Sequence, residues 1–310
     1  MGMLPYLCRS AGVVMMNQIR QYSICGVHLK ICFVERKIEI VPDKMCFGFI
    51  GESEEADIIH ICNVGELSKH DIDPVFADSR NRVYFDDGKF YRYQGALLDM
   101  APENWKSCQV VTPSRPGDVE VYLRQEEKCI QEGDLLSALG LDYLLALQGK
   151  VLLHAAYIQC LGQAVLFTAP SGTGKSTQAE LWRQNRPGTR IVNGDRAVFS
   201  VEDERTMAHG FPFCGSSGIS HNISCPLKAI VVLRQGKKNH LVRLVGAQAA
   251  TILLSECMVP LWDRIATQRV MDTVTQVVEQ CPIYLYHCLP DASAVEHLYH
   301  VIYEGGKPDE

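Results

Sequence analysis

A chain of 310 residues, 47% apolar and 21% charged, is long enough for one large or two modest folded domains. Its formal net charge of −6 argues against a broad nucleic-acid-binding face. Thirteen cysteines, an odd number with no CxxC pair, argue against a disulfide framework and point to a reducing cytoplasm.

The opening "MGMLPYLCRSAGVVMM" is weakly apolar and lacks the basic lead of a signal peptide. Residues 1–19 are expected to be disordered, with Met15 or Met16 as alternative starts. Residues 20–130 read as a β-rich region. "GVHLKICFV" alternates, placing Val27, Leu29, Ile31 and Phe33 on one face. "RVYFDDGKFYRY" is a hairpin, with Asp87-Gly88 suited to the positive φ angles of a type I′ turn. "DVEVYLR" is a further strand. Cysteines sit within apolar runs such as "KICFVE" and "YLYHCL", as small buried hydrophobes do. Cys281 with His287, and Cys214 with His221, are near in sequence but do not have zinc-site spacing.

From 131 to 310 the pattern becomes α/β. "GDLLSALGLDYLLALQGK" reads as one helix with Leu135, Leu136, Leu139, Tyr143 and Leu147 on a stripe and Gly149 as its C-cap residue. The apolar stretch from Leu139 to Thr168 is interrupted by Gln148, Lys150, His154 and Gln163, so no membrane span is expected. "VLLHAAYIQ" and "QAVLFTA" are adjacent strands; the helix "KSTQAELWRQN" follows, then a strand ending "RIVNGDR". Strands in "AVFSVE", "PLKAIVVLRQ", "HLVRLV" and "IYLYHCL" alternate with helices in "GAQAATILLSECM", "LWDRIATQRVMDTVTQVVEQ" and "DASAVEHLYHVIYE", the last with Asp291 as N-cap. Such alternation implies an α/β nucleotide-binding core.

The chemistry concentrates in "VLFTAPSGTGKSTQAELW". The phosphate-loop pattern G-x-x-x-x-G-K-[ST] is met from Ala169 to Ser176 except that alanine replaces the first glycine. An added methyl is tolerable there if the residue stays extended. Gly172 and Gly174 let backbone amides turn toward phosphate oxygens at the start of the following helix. Ser171, Gly172, Thr173, Gly174, Lys175, Ser176 and Thr177 are the nucleotide-binding candidates. Lys175 would reach the β- and γ-phosphates, and Ser176 would bind Mg²⁺ through its hydroxyl.

"SGTGKST", a histidine on the preceding strand and "DR" ending the next one together resemble the HPr kinase/phosphorylase group. That group has the phosphoenolpyruvate carboxykinase type of P-loop core. His154 precedes Lys175 by 21 positions, and "NGDR" (Asn193 to Arg196) stands where the group has "DDR". The resemblance runs roughly from Val151 to Leu233. It implies ATP and Mg²⁺ as cofactors, and Asp195, Lys175 and His154 as catalytic residues. Ser176 and Asp195 would face the metal. Gly194 occupies the place of the second acid, which leaves the base and the reverse reaction open. Arg196, Arg234 and Arg243 are candidates for neutralising phosphate. Ser216, Ser217 and Asn222, in the loop "GFPFCGSSGISHN", are candidates for contacting substrate or nucleotide.

The expected function is transfer of the γ-phosphoryl group of ATP to a hydroxyl, serine-type, on a protein, peptide or small molecule. HPr itself is disfavoured, because "PLKAIVVLRQGKKNH" replaces the acidic stretch that goes with it. Two alternatives stand beside the kinase. One is a non-catalytic nucleotide-binding regulator, favoured by Ala169 and Gly194. The other is a phosphoenolpyruvate carboxykinase-type enzyme, for which the extra metal ligands and arginine are not evident. A GTPase switch is disfavoured by the lack of an NKxD motif. The expected partners are ATP and an unidentified phosphoacceptor, without nucleic acid or membrane; a homo-oligomer is left open.

Overall fold

The structure, a computed structural model, describes residues 17–34, 38–95, 104–124 and 129–309. The chain forms two compact units. One is drawn from residues up to Ser23, Val27–Asp43 and Ile50–Leu141; the other from Ile24–Gly26, Lys44–Phe49 and Asp142 onward.

In the first unit an eight-stranded sheet is built from β1 (Asn17–Ile24), β2 (Val27–Val34), β4 (Asp57–Val64), β5 (Phe76–Ala77), β6 (Asn81–Asp86), β7 (Lys89–Gly95), β8 (Trp105–Thr112) and β9 (Arg115–Arg124). The spatial order is β1-β2-β4-β9-β8-β7-β6-β5. Strand β1 begins inside the stretch expected to be disordered. Val27, Leu29, Ile31 and Phe33 are all buried, as the pattern in "GVHLKICFV" predicts, but the alternation stops after Lys30, because Cys32 and Val34 on the other face are buried as well. Asp87 and Gly88 take φ angles of 46° and 73°, as the β6–β7 hairpin requires. One cluster of this core packs Tyr93 against Trp105 with ring centroids 4.1 Å apart and planes tilted by 33°. A short parallel pair, β3 (Glu39–Val41) and β10 (Cys129–Gln131), leads into helix α1 (Glu132–Ala138). Sequence periodicity gave no sign of this pair.

The single helix expected over 133–150 is two. α1 ends at Ala138, and α2 (Leu141–Ala146) starts after Gly140, which has φ 58°. A Cβ at Gly140 would press on the Gln109 side chain, whose Nε2 donates to Leu139 O at 2.5 Å. The cross-chain contact thus breaks a helix that the leucine stripe alone would have continued. Gly149 caps α2 as expected, with φ 70° and Lys150 N donating to Leu145 O at 3.0 Å.

The second unit contains β11 (Val151–Cys160), β12 (Gln163–Thr168), β13 (Arg190–Asn193), β14 (Arg196–Glu202), β15 (Arg205–His209), β16 (Ser224–Gln235), β17 (His240–Leu244) and β18 (Ile283–Cys288). Besides most of α2, its helices are α3 (Lys175–Asn185), α4 (Gly246–Leu254), α5 (Arg264–Gln280) and α6 (Ala292–Tyr303). Two long strands each serve two neighbourhoods. Residues 151–154 of β11 pair with β14, whereas 155–160 pair with β12 and 157–159 with β13. β16 pairs with β15 near its start and lies parallel to β12 and β18 further along. The C-terminal ends of β12, β16 and β18 therefore lie together, the usual place for a ligand in an α/β sheet. Trp182 of α3 and Val295 and Leu298 of α6 are fully buried in a core with Phe167, Val231 and Tyr286. Asp291 caps α6 by accepting from Ser293 N at 2.9 Å, as its sequence position predicts. No helix among the described residues is long and apolar enough to cross a membrane.

A buried polar knot lies between β14, β15 and β16. The His209 ring contacts Ser200 Oγ and Ser224 Oγ, each at 2.8 Å, and Glu202 pairs with Lys150 beside it. Burial pushes the His209 imidazole down to about 4; the Lys150 ammonium adds to this and Glu202 opposes it. In the unfolded chain the same ring titrates near its ordinary value of about 6.5. The unfolded state therefore binds more protons between those values. His209's contribution, about 3 kcal/mol, is complete above roughly pH 6.5 and is lost as pH falls toward 4. Urea unfolding between pH 7 and 4.5 should show this slope, and His209→Gln should flatten it.

Candidate functional site

All of the candidate site lies in the second unit. β12 ends at Thr168, whose hydroxyl donates to His154 O at 2.9 Å and ties the start of the loop to β11. Ala169 follows, fully buried in the core. It is not among the residues with positive φ, so the methyl group in place of the first glycine packs inward without backbone strain. Gly172 and Gly174 take φ angles of 79° and 116°, a region that side chains disfavour. A Cβ at either would meet nothing within 4 Å, so the glycines border open space.

α3 begins on this loop. Gly174 is its N-cap residue, no side chain caps its first turn, and no acid lies in that turn. The first amides of an eleven-residue helix are left to whatever the loop binds. Ser171, Ser176 and Thr177 are exposed around it, and Thr173 N donates to Pro170 O at 3.3 Å. Lys175 is buried, and its Nζ donates to Ala169 O at 2.7 Å and Pro170 O at 3.4 Å. Burial lowers its pKa, while the nearby Asp195 and Glu256 carboxylates pull it back up.

The structure brings His154 and Asp195 to this lysine. His154 Nε2 lies 3.1 Å from Asp195 Oδ1, with both side chains half-buried. Arg196 Nε is 3.5 Å from Asp195 Oδ2. The turn between β13 and β14 is held by Asn193, a fully buried residue. Its Oδ1 accepts from the amides of Asp195 and Arg196, each at 2.9 Å, and its Nδ2 donates to Phe211 O and Phe213 O. One amide side chain thus fixes the Asp195 backbone and pins the Gly210–Asn222 loop against it.

That loop is closely fitted. A Cβ at Gly215 would lie 2.9 Å from Asp195 Cγ, and a Cβ at Gly194 would fall inside the Ser217 side chain. Ser217 is held in turn by donating to Cys214 O at 2.6 Å. Gly194 is therefore a packing requirement of this chain, and a side chain there would need a different loop. Gly194→Ala should cost about 1–3 kcal/mol by overpacking. Ser217→Gly in the same chain should recover most of that loss in urea unfolding.

Other candidates lie apart from this cluster. Ser216 is exposed beside Ser217, and Asn222 sits next to Gly48 at the far end of the loop. Arg234 and Arg243 are not on neighbouring strands, because β18 lies between β16 and β17. Arg234 is at the phosphate-loop end of the sheet, with Nη1 on Leu233 O at 2.9 Å. Arg243 opposes Tyr284 near the other end, its guanidinium 5.4 Å from that ring. Asn193, Gly215 and Glu256 join the site without having been candidates: Asn193 lies inside "NGDR" and Gly215 inside "GFPFCGSSGISHN", whereas Glu256 lies in neither stretch.

The residues present fit a magnesium nucleotide. The glycines border open space, Lys175 stands at the loop's end, and Ser176 is exposed at the first turn. No cluster of three or more His, Cys, Asp or Glu able to hold a metal occurs among the described residues. Mg²⁺ carried by phosphates needs only one or two carboxylates, so the donor set suits it better than a protein-caged ion.

A structure of an HPr(Ser) kinase/phosphatase from Coxiella burnetii is 14% identical and covers 50% of this chain and 99% of its own, with a TM-score of 0.29. A likeness that slight carries no argument. No curated protein matches the chain. A family model described as SynChlorMet cassette protein ScmC matches residues 135–290, half of the chain and most of the second unit. The chain belongs to the ScmC family of SynChlorMet cassette proteins.

Proposed function

We propose that the chain is an ATP-dependent phosphotransferase that passes the γ-phosphoryl group to a hydroxyl on a protein, peptide or small molecule. The observation that carries this reading is one juxtaposition. A glycine loop bordering open space ends in buried Lys175, and the Asp195–His154 pair lies within electrostatic reach of that lysine. Bound MgATP would supply the phosphoryl group and the cation that neutralises its charge.

The chain's own residues would do the positioning. Amides of Gly172 to Ser176 would hold phosphate oxygens, helped by the positive end of α3. Lys175 would exchange its contacts with Ala169 and Pro170 for phosphate oxygens. Ser176 and Asp195 would face the cation. Asp195, contacted by His154 and held through its backbone by Asn193, would take the acceptor's proton. These assignments keep the family resemblance at "SGTGKST" and accept its departure at Gly194. The expected compartment is the cytoplasm.

The test is incubation with γ-labelled ATP, Mg²⁺ and a lysate of the chain's own cell. Label should appear on a discrete acceptor and vanish with Lys175→Ala. ATP binding without transfer or hydrolysis would favour a nucleotide-binding regulator instead. Oxaloacetate-dependent ADP formation with CO₂ release would overturn the kinase reading in favour of a carboxykinase.

A further inference from the structure

Position 194 has no room for a second acid, yet Lys175 feels two carboxylates, Asp195 and Glu256. Glu256 arrives from the segment between α4 and α5. That segment pairs with the free edge of β11: Leu153 and Cys257 form an antiparallel bridge, His154 N donates to Glu256 O at 3.1 Å, and Met258 N donates to Leu152 O at 2.9 Å. In this register Glu256 stands directly opposite His154. Directly opposed residues of an antiparallel pair share a face, with Cβ atoms about 4.5–5.5 Å apart. On its other edge His154 is opposed by Arg196. Glu256, His154 and Arg196 therefore form a row across three strands, and the middle member contacts Asp195. The Glu256 side chain is half-buried and makes no hydrogen bond or ion pair to any described residue. A carboxylate placed so, without an ion-pair partner of its own among the described residues and near a lysine already bound to its own loop, suits a site that admits a cation.

We propose that Glu256 is the second carboxylate of the phosphate-transfer site. It supplies, from a remote segment and across a main-chain pairing, the negative charge that Gly194 cannot. It acts on the bound cation and on Lys175, and leaves the acceptor's proton to Asp195. The inference rests on the phosphotransferase reading above.

The test measures cation binding rather than turnover alone. Mn²⁺ is titrated into the full-length protein saturated with ADP, and free Mn²⁺ is followed by electron paramagnetic resonance. Glu256→Gln should weaken Mn²⁺ binding about tenfold, within the range for residues that support a metal site. It should leave metal-free ADP binding unchanged or slightly tighter. Glu256→Asp should fall between the two, and Asp272→Asn on the exposed face of α5 should match the parent. Equal unfolding midpoints for the four proteins would show that the loss is not one of folding. Unchanged Mn²⁺ affinity in a folded Glu256→Gln protein would overturn the assignment and leave the phosphotransferase reading standing. Failure of the parent itself to bind ADP would instead overturn the reading on which it rests.

Discussion

Lys175→Ala is expected to lower phosphoryl transfer by about 10²–10³-fold, the usual loss when one charge-stabilising donor is removed from a transfer site. The lysine is buried at the end of the loop, and its Nζ is held by two carbonyls of that loop, Ala169 O and Pro170 O. Those bonds keep the ammonium where an incoming phosphate would find it. Alanine removes the charge and leaves both carbonyls to water, so the loss should appear in kcat/KM, with weaker ATP binding as one component. The fold should survive, because Ala169 and Trp182 keep the loop and α3 anchored in the core. Arginine at the same place should not restore activity. Its planar fork is a different shape from a compact ammonium and cannot use the same two carbonyls. Single-turnover transfer from labelled ATP, together with a thermal melt, checks all of these outcomes.

Asp195→Asn is the second large effect, with an expected fall of about 10²–10⁴-fold in the transfer step, the span for loss of a positioned acid or base. Asparagine preserves the size that Gly215 packs against and keeps an oxygen for His154 Nε2. Stability should change little, since the His154–Asp195 pair is half-exposed and such pairs contribute at most about 1 kcal/mol. Metal-free nucleotide binding should be retained, because the loop amides and Lys175 are untouched. The variant therefore separates chemistry from binding: kcat falls while ADP affinity without metal stays. If Asp195→Asn turned over at the parent rate, proton acceptance would have to be assigned elsewhere.

What could be read from the sequence was local. The loop and helix α3 fall at the residues expected, because a glycine pair, a lysine and a polar helix start are all within one short stretch. The hairpin at Asp87-Gly88 was legible for the same reason, and the C-cap at Gly149 likewise. The helix break at Gly140 was not, because its cause is Gln109, a residue on strand β8. The division of β11 between β14 and β12 was also hidden, since both halves carry the same apolar pattern. Gly194 looked like a loss of chemistry when read against the family pattern. In the fold it is the space that Ser217 fills. Glu256 was invisible for the most general reason: register between distant segments leaves no periodic trace in either of them.

The central claim is that the Ala169–Ser176 loop cradles the phosphates of a nucleotide. Amide hydrogen exchange across Gly172 to Thr177, measured with ATP and Mg²⁺, with adenosine, and without ligand, tests it most directly. ATP with Mg²⁺ should slow exchange at these amides and adenosine should leave them unchanged, since only phosphates reach the cradle. Exchange that is identical in all three conditions, or slowed equally by adenosine, would contradict the claim.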